Sequence, residues 1–260
     1  MNDSNLKNSP PNKVEKVKFD LHMHTLDDPY DHHVYHTIFE LIDKAASLQF
    51  KALAITLHMR QYYNPAAIEY AEQKGIFLIP GVEQNIEGVH VLLLNFPKAV
   101  ADSVSTFKEL ADTRIKLHAE GAPENLVIAP HPFFPSEVAL QEKFWTNSKM
   151  FDAIEVSGFF HKRWNPNLKA IDAAKKLGIP LVGNSDTHTL EQLGTTWSEV
   201  ECEPNVISLI RAIKAGKAEV KGRALAVHEM GLIGWKVVAK GYMKWINFKR
   251  DRGSQHYIEA

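Results

Sequence analysis

Residues 164–188, WNPNLKAIDAAKKLGIPLVGNSDTH, contain a helix followed by a strand and indicate how the rest of the chain folds. Residues 167–177 have the periodicity of an amphipathic helix, and residues 180–184 form a short apolar run typical of a buried strand. Asp186 and His188 follow that strand at positions i and i+2, which places their side chains on the same side of extended chain. The stretch therefore predicts a polar site at the carboxyl end of a strand.

The same alternation of strand and helix extends along most of the 260-residue chain. Strands are predicted at 17–22, 51–57, 76–80, 89–95, 126–130, 153–157 and 180–184. Helices are predicted at 37–48, 66–74, 104–119, 167–177 and 204–215. This order is typical of βα units around a parallel sheet, and about seven such strands in one domain favour a barrel over an open sheet. We expect a single-domain α/β protein with a TIM-like (β/α) barrel whose chemistry lies at the carboxyl ends of the strands.

Composition restricts the classes of protein to which the chain can belong. A hydrophobic content of 45% and a charged content of 23% are ordinary for a globular protein, and a net charge of −1 argues against a general nucleic-acid-binding surface. Apolar runs are shorter than the roughly 18 residues of a membrane helix. The only cysteine, Cys202, excludes an internal disulfide framework and fits a reducing compartment, so we expect a cytoplasmic protein. Thirteen histidines indicate metal binding or acid–base chemistry.

The two ends of the chain differ from its centre in composition. Residues 1–15 are polar and are expected to be a flexible lead-in, and residues 16–221 are expected to form the barrel. Residues 222–260 are basic, with Lys236, Lys240 and Lys244 at helical i, i+4 spacing beside apolar residues. We expect this tail to pack on the barrel as an amphipathic helix with solvated lysines. Contact with nucleic acid is a less favoured alternative, and contact with a membrane is not expected.

Residues that bind metal ions follow several of the predicted strands. His22 and His24 lie after the first strand at i, i+2 spacing, which is a weak signal alone in a chain so rich in histidine. The later candidates are His58, Glu83, His90, His131, Asp186 and His188. Imidazoles with a few carboxylates are typical of catalytic sites for zinc, manganese or iron, whereas calcium and magnesium prefer mostly oxygen ligands.

Five motifs in order, DLHMHT, AITLH, GVE, PHP and NSDTH, make residues 17–221 resemble the polymerase and histidinol phosphatase (PHP) domain family. The resemblance implies a distorted seven-stranded (β/α)7 barrel that holds two or three divalent ions of zinc, manganese or iron. It implies a first metal ion bound by His22, His24, Glu83 and Asp186. Glu83 would bridge to a second ion bound by His90 and His131, and a third ion would be bound by His58, His188 and one ligand from residues 26–33.

Two departures from the family pattern affect the expected third metal ion. The loop of residues 26–33 has unusual spacing: we favour His33 as its ligand, with His32, Asp28 and Asp31 as alternatives. Leu57 stands where the family usually has an aspartate before the histidine. Because leucine can neither bind a metal nor orient His58 by a hydrogen bond, a weak or vacant third site is a further alternative.

The resemblance to the metal-dependent phosphoesterase branch implies hydrolysis of a small phosphorylated metabolite or nucleotide by a metal-bound hydroxide. Arginine binds two phosphate oxygens at once, so Arg163, in the loop after the sixth strand, is expected to contact substrate. His161 is expected beside it, either in the substrate pocket or as an acid for the leaving group, and Arg60 is a third candidate contact. The alternatives are a PHP module that holds metal with weak or no activity, and an amidohydrolase-type barrel.

Overall fold

The computed structural model describes residues 13–236 and confirms an α/β fold with a barrel-like sheet. Its strands are β1 Glu15–Asp20, β2 Ala52–Ile55, β3 Phe77–Ile86, β4 Val89–Leu94, β5 Leu126–Ala129, β6 Ala153–Ser157, β7 Leu181–Asn184, β8 Thr196–Cys202 and β9 Glu219–Gly222. Its helices are α1 Ile38–Ser47, α2 Pro65–Gln73, α3 Lys98–Ala101, α4 Phe107–Ala119, α5 Glu142–Asn147, α6 Asn167–Leu177 and α7 Val206–Lys214. A 3₁₀ turn covers Ser148–Met150, and residues 227–236 are helical.

Within residues 13–236 the strands form one sheet in the order β7-β6-β5-β4-β3-β2-β1-β8-β9. The sheet is mixed and not wholly parallel, because β4 pairs antiparallel with both β3 and β5, and β8 pairs antiparallel with β1 and β9. The two-residue turn Glu87-Gly88 joins β3 to β4, with φ of 53° and 85° at its two residues. Positive φ at both positions is the conformation that matches the twist of a tight hairpin.

Side chains hold the two ends of the sheet close together, which nearly closes the barrel. The Gly183 N–H of β7 donates to Ser198 Oγ of β8 at 2.7 Å, and Leu21 N–H donates to Asn184 Oδ1 at 3.0 Å. A Cβ atom at Gly183 would lie 2.7 Å from the Trp197 carbonyl oxygen, so this close approach requires glycine. The closure brings the ends of β1 and β7 together, and with them the two i, i+2 ligand pairs.

The strands are apolar on both faces, as expected for a sheet with packing on either side. One set of side chains, which includes Phe19, Leu92 and Val182, packs with the apolar face of α7. The opposite faces pack outward on helices, with Leu53, Ile55 and Leu57 against α1 and α2. Leu57 is fully buried in this outer layer. Since side chains alternate along extended chain, Leu57 and its neighbour His58 point to opposite sides.

The described part of the predicted C-terminal tail contacts the barrel. The Arg223 N–H donates to the Thr195 carbonyl at 2.9 Å, the Leu225 N–H donates to the Phe160 carbonyl at 2.8 Å, and Lys236 Nζ lies 2.5 Å from Glu191 Oε1. Ile233 is buried. Lys240 and Lys244 lie outside the described residues, as do residues 1–12, so the three-part domain division stays a prediction. Across residues 13–236, the helices are too short or too polar to cross a bilayer.

Candidate metal centre

His22 and His24 lie just beyond β1, where the chain remains extended. His24 N–H donates to the Thr187 carbonyl at 3.0 Å and Thr187 N–H donates to the His22 carbonyl at 3.3 Å, which forms an isolated parallel bridge between the segments that follow β1 and β7. Both imidazoles are fully buried and their ring centroids are 5.3 Å apart. Met23, between them, packs in the outer hydrophobic layer. The i, i+2 spacing therefore places both rings on the inner side, as the sequence predicts.

The carboxylate of Glu83 lies at the centre of the histidine cluster and is 1% exposed. The sequence places Glu83 in a loop, which is wrong: β3 continues to Ile86, so Glu83 is a strand residue paired with Leu92 of β4. Its two oxygens lie between 2.7 and 3.3 Å from ring nitrogens of five histidines, namely His22, His24, His58, His90 and His131. A rigid strand thus holds one anionic group within reach of all five rings.

Asp186 and His188 complete the cluster from the end of β7. Asp186 Oδ1 lies 3.4 Å from His22 Nε2 and 3.6 Å from His24 Nε2. His188 Nε2 lies 2.8 Å from Asp31 Oδ2, and the same oxygen is 3.1 Å from His58 Nε2. All the predicted metal ligands except His33 fall into four overlapping groups of potential ligands: His22/His24/Glu83, His22/His131/Asp186, His58/Glu83/His90 and His24/Asp31/His58/His188.

Asp31, and not His33, occupies the position between His58 and His188. His33 stacks on the His188 ring, with centroids 5.1 Å apart and planes 12° apart, and its Nδ1 is 4.0 Å from Asp31 Oδ1. Burial and the neighbouring His188 lower the pKa of His33 to about 4. The geometry therefore favours Asp31, one of the alternatives from the sequence, as the ligand supplied by the 26–33 loop.

Several buried atoms in this cluster lie close to a carboxylate or a ring, but in directions that make no well-formed hydrogen bond among the described residues. They are His22 Nε2, His24 Nε2, His90 Nδ1, His131 Nδ1 and Asp186 Oδ1. Leaving a polar atom buried without a partner costs about 1–3 kcal/mol, so groups of such atoms indicate that another species binds there. A divalent cation fits, because every one of these atoms is a lone-pair donor of the kind zinc, manganese and iron accept.

Electrostatics in the cluster couple the rings to the carboxylates. Burial alone would lower the pKa of His22, but Asp186, Glu155 and Glu83 raise it well above its ordinary value. Burial alone would raise the pKa of Glu83, but the surrounding histidines, above all His90, hold it well below. In the absence of metal, the His22 ring is therefore a protonated partner of these carboxylates. A cation that binds there must displace that proton, as metal binding to imidazole generally does.

The backbone is strained at two of the predicted ligands. His131 has φ of 28° and Asp186 has φ of 53°, a left-handed region that residues other than glycine rarely adopt. Such conformations cost about 1–3 kcal/mol each and are concentrated at functional sites. The local cost at both residues supports a role in binding or catalysis beyond packing.

Glu155 of β6 is a site residue that the sequence analysis missed. It is fully buried and accepts hydrogen bonds from His22 Nδ1 at 2.9 Å, the His131 N–H at 3.1 Å and Asn184 Nδ2 at 2.9 Å. One carboxylate thus fixes groups on the chain ends that follow β1, β5 and β7. The signal was present in the sequence AIEVS, since a glutamate in the middle of a buried strand is almost always paired.

Asp28 orients His58 and Asp31, the part of the site where Leu57 replaces the aspartate expected before His58. Its Oδ2 lies 2.9 Å from His24 Nδ1 and accepts the His58 N–H at 2.9 Å, and its Oδ1 accepts the N–H groups of Tyr30 and Asp31. Burial opposes ionisation, but the His24 ring lowers the pKa of Asp28 to about 2. A carboxylate from the loop therefore holds His58 and Asp31 in place although residue 57 is leucine.

The three predicted substrate contacts, Arg163, His161 and Arg60, lie outside the lining of the cavity over the metal ligands. Arg163 is exposed, and its N–H donates to His161 Nδ1 at 3.2 Å within a tight turn. The turn is closed by two backbone hydrogen bonds between His161 and Trp164, of 2.8 and 3.0 Å. Arg60 donates to the Asp27 carbonyl on the outer side of the loop at 2.7 Å. In this arrangement, the cavity over the ligands is lined by none of the three.

Known proteins resemble this chain in part of its sequence and in its fold. Residues 164–218 match the family model PHP_C, described as PHP-associated. The chain resembles the PHP family. A two-domain Bacteroides vulgatus protein that contains a predicted PHP-like metal-dependent phosphoesterase shares the fold, with a TM-score of 0.59 and 16% identity over 87% of this chain and 70% of that one. PsfC from Pseudomonas syringae has a TM-score of 0.60 and 17% identity over 88% and 99%. A comparison with curated proteins found no match. The PHP resemblance and PHP-like barrel expected from the sequence are thus confirmed.

Substitutions in the 26–33 loop separate its two candidate ligands. We expect Asp31→Asn to remove about one metal equivalent or to weaken metal binding roughly 10–100-fold, because the neutral amide lacks the negative charge with which a carboxylate binds a divalent cation. His33→Asn should leave metal content unchanged, since its ring stacks outside the group formed by Asp31, His58 and His188. Elemental analysis of both dialysed variants measures this. The reverse pattern would restore His33 as the ligand.

Proposed function

We propose that this PHP-like chain is a metal-dependent hydrolase of phosphate esters. The observation that carries the proposal is the carboxylate of Glu83 within 3.3 Å of five imidazoles, four of which follow the carboxyl ends of β1, β2 and β5 while His90 lies near the start of the antiparallel strand β4. A carboxylate shared between imidazole groups is a suitable bridge between cations. The fold shared with the Bacteroides vulgatus protein, described as containing a predicted PHP-like metal-dependent phosphoesterase, supports the same reaction class.

The ligand set would hold up to three divalent ions. His22, His24, Glu83 and Asp186 would hold the first, and Glu83 would share a second with His90 and His131. A third would lie between Asp31, His58 and His188. Divalent cations at these positions would supply Lewis acidity toward phosphate oxygens and lower the pKa of a coordinated water.

The remaining groups of the chain position the ligands and exclude water. Glu155 and Asp28 fix the ring orientations of His22 and His24 through hydrogen bonds to the nitrogens that face away from Glu83. Ile233, on the C-terminal helix, closes one side of the cavity above the ligands. A small phosphorylated metabolite or nucleotide would enter from the open side. The substrate, the identity and number of the ions, and a cytoplasmic location belong to the proposal.

Hydrolysis of a generic aryl phosphate with metal analysis of the same sample tests the function. We expect the purified protein to retain divalent metal, to lose turnover on treatment with chelator and to regain it on addition of manganese or zinc. A specific observation favours the alternative of a metal-holding module with little activity: the described residues that line the cavity include no lysine or arginine to bind phosphate. Retained metal without turnover of any monoester or diester would establish that alternative.

A further inference from the structure

The cavity over the metal ligands has two chemically different walls. It has a volume of about 350 Å³, and one wall consists of ligand side chains such as Glu83, His131 and Asp186. The rest of the lining is largely apolar, with side chains from Phe134, Val138, Phe159 and Ile233 beside the polar residues Ser136, Ser157 and Gln192. A substrate held by its phosphate at the ligands would therefore place the rest of the molecule against apolar groups.

Three aromatic rings, Phe134, Phe159 and Trp164, form what we call the aromatic wall. Phe134 and Phe159 have centroids 6.2 Å apart, and Trp164 meets them edge-on at 5.6 and 6.3 Å with interplanar angles of 82° and 79°. Edge-to-face contacts of this kind stabilise aromatic clusters beyond the area that they bury. The Phe134 ring also lies 6.4 Å from the ring of the ligand His131. The wall is thus held in place and begins next to the metal centre.

The rings are placed for contact with a ligand and not only for packing. Phe134 and Phe159 line the cavity and remain partly exposed, whereas the preceding residue, Phe133, points away and packs against Phe144 and Trp145. The backbone turn from His161 to Trp164 leaves Arg163 exposed and His161 half-buried, and it places the Trp164 ring against Phe134 and Phe159. The structure has therefore placed an aromatic group where the sequence predicts a cationic one.

We propose that the aromatic wall binds a flat aromatic ring in the leaving group of the substrate. The inference rests on the proposed phosphoesterase function and narrows its substrates to phosphate esters in which such a ring lies near the ester oxygen, as in aryl-substituted or nucleoside phosphates. A ring on Phe134 and Phe159 adds a further edge or face contact to the existing cluster. Sugar phosphates and linear alkyl phosphates lack that contact.

Matched pairs of esters test the wall without changing the reactivity of the leaving group. Benzyl phosphate and cyclohexylmethyl phosphate release primary alcohols of the same size that differ in aromaticity, and a nucleoside 5′-monophosphate and ribose 5-phosphate differ in the base. We expect kcat/KM to favour the ring-bearing member by about five-fold in the first pair and about ten-fold in the second. If only the first pair shows a preference, the aromatic wall binds a simple aryl group. If only the second pair shows one, the wall binds a nucleobase.

Phe134→Leu should bring both ratios close to one, while Phe133→Leu, the matched control on the adjacent residue, should keep them. Phe159→Leu gives a second variant should Phe134→Leu fail to fold. Calorimetric binding of benzylphosphonate and cyclohexylmethylphosphonate to the metal-loaded protein measures the same preference without turnover. Equal affinities and equal kcat/KM values in the wild type, or equal effects of both leucine variants, would overturn the aromatic wall. The wild type could instead prefer benzylphosphonate in binding, lose that preference in Phe134→Leu and hydrolyse none of the esters. That result would support the aromatic wall and reject the proposed hydrolase function.

Discussion

Replacement of Glu83 by glutamine is expected to remove about one metal equivalent and to lower kcat/KM for phosphate ester hydrolysis about a thousand-fold, or about 4 kcal/mol of transition-state stabilisation. The change keeps the size of the side chain but removes the negative charge that lies within 3.3 Å of five imidazoles. An amide has one oxygen and cannot bridge two cations as a carboxylate does. The loss should therefore affect metal content and turnover together.

The measurement pairs elemental analysis with steady-state kinetics on the dialysed Glu83→Gln protein. Glu124→Gln is the control, because it makes the same chemical change in a carboxylate that pairs with Lys214, a residue outside the ligand groups and the cavity above them. The control should keep full metal content and activity. Full metal content in Glu83→Gln would contradict the bridging assignment, and loss of metal with unchanged turnover would separate the metal from the reaction.

The sequence predicts the helices more fully than the strand pairing, for a local reason. The predicted helix at 167–177 is observed as Asn167–Leu177, because apolar periodicity and a glycine in the left-handed conformation at Gly178 (φ 68°) determine that helix and its end. The antiparallel strands β4, β8 and β9 depend on tertiary pairing. The β3–β4 turn is Glu-Gly and not the Asn-Gly or Asp-Gly typical of tight hairpins, so local sequence pattern contains little indication that β3 extends through Glu83.

The sequence predicts the direction of a site side chain well where the residue lies on extended chain. It predicts that direction poorly where the conformation of a loop determines it. His22 and His24 are brought together because extended chain has a two-residue period. The choice of Asp31 over His33 depends on a loop whose backbone is held by Asp28. The outward position of Arg163 depends on the turn closed at Trp164. Local sequence pattern does not specify these long-range contacts, so the residues most open to error are those in loops.

Replacement of Glu155 by glutamine is expected to weaken metal binding about 10–100-fold while the ligands themselves are unchanged. Glu155 accepts hydrogen bonds at both oxygens: the His131 N–H on Oε1, and His22 Nδ1 and Asn184 Nδ2 on Oε2. A glutamine of the same shape has an NH₂ group in place of one oxygen. In either orientation that group meets a donor, so the variant must turn the His22 ring, lose the His131 backbone contact, or both.

Competition with a chelating dye on the metal-free, folded protein measures this affinity separately from stability. Glu201→Gln, at an exposed position on β8, makes the same substitution away from the site and should leave metal affinity unchanged. Glu155→Asp keeps the charge and should recover part of the affinity, which a purely structural role would not produce, because shortening the side chain opens a space in the core. Wild-type metal affinity in Glu155→Gln would show that the His22 ring is held in place by packing alone. A deficit confined to one equivalent would identify the ion that His22 holds as the one that depends on Glu155.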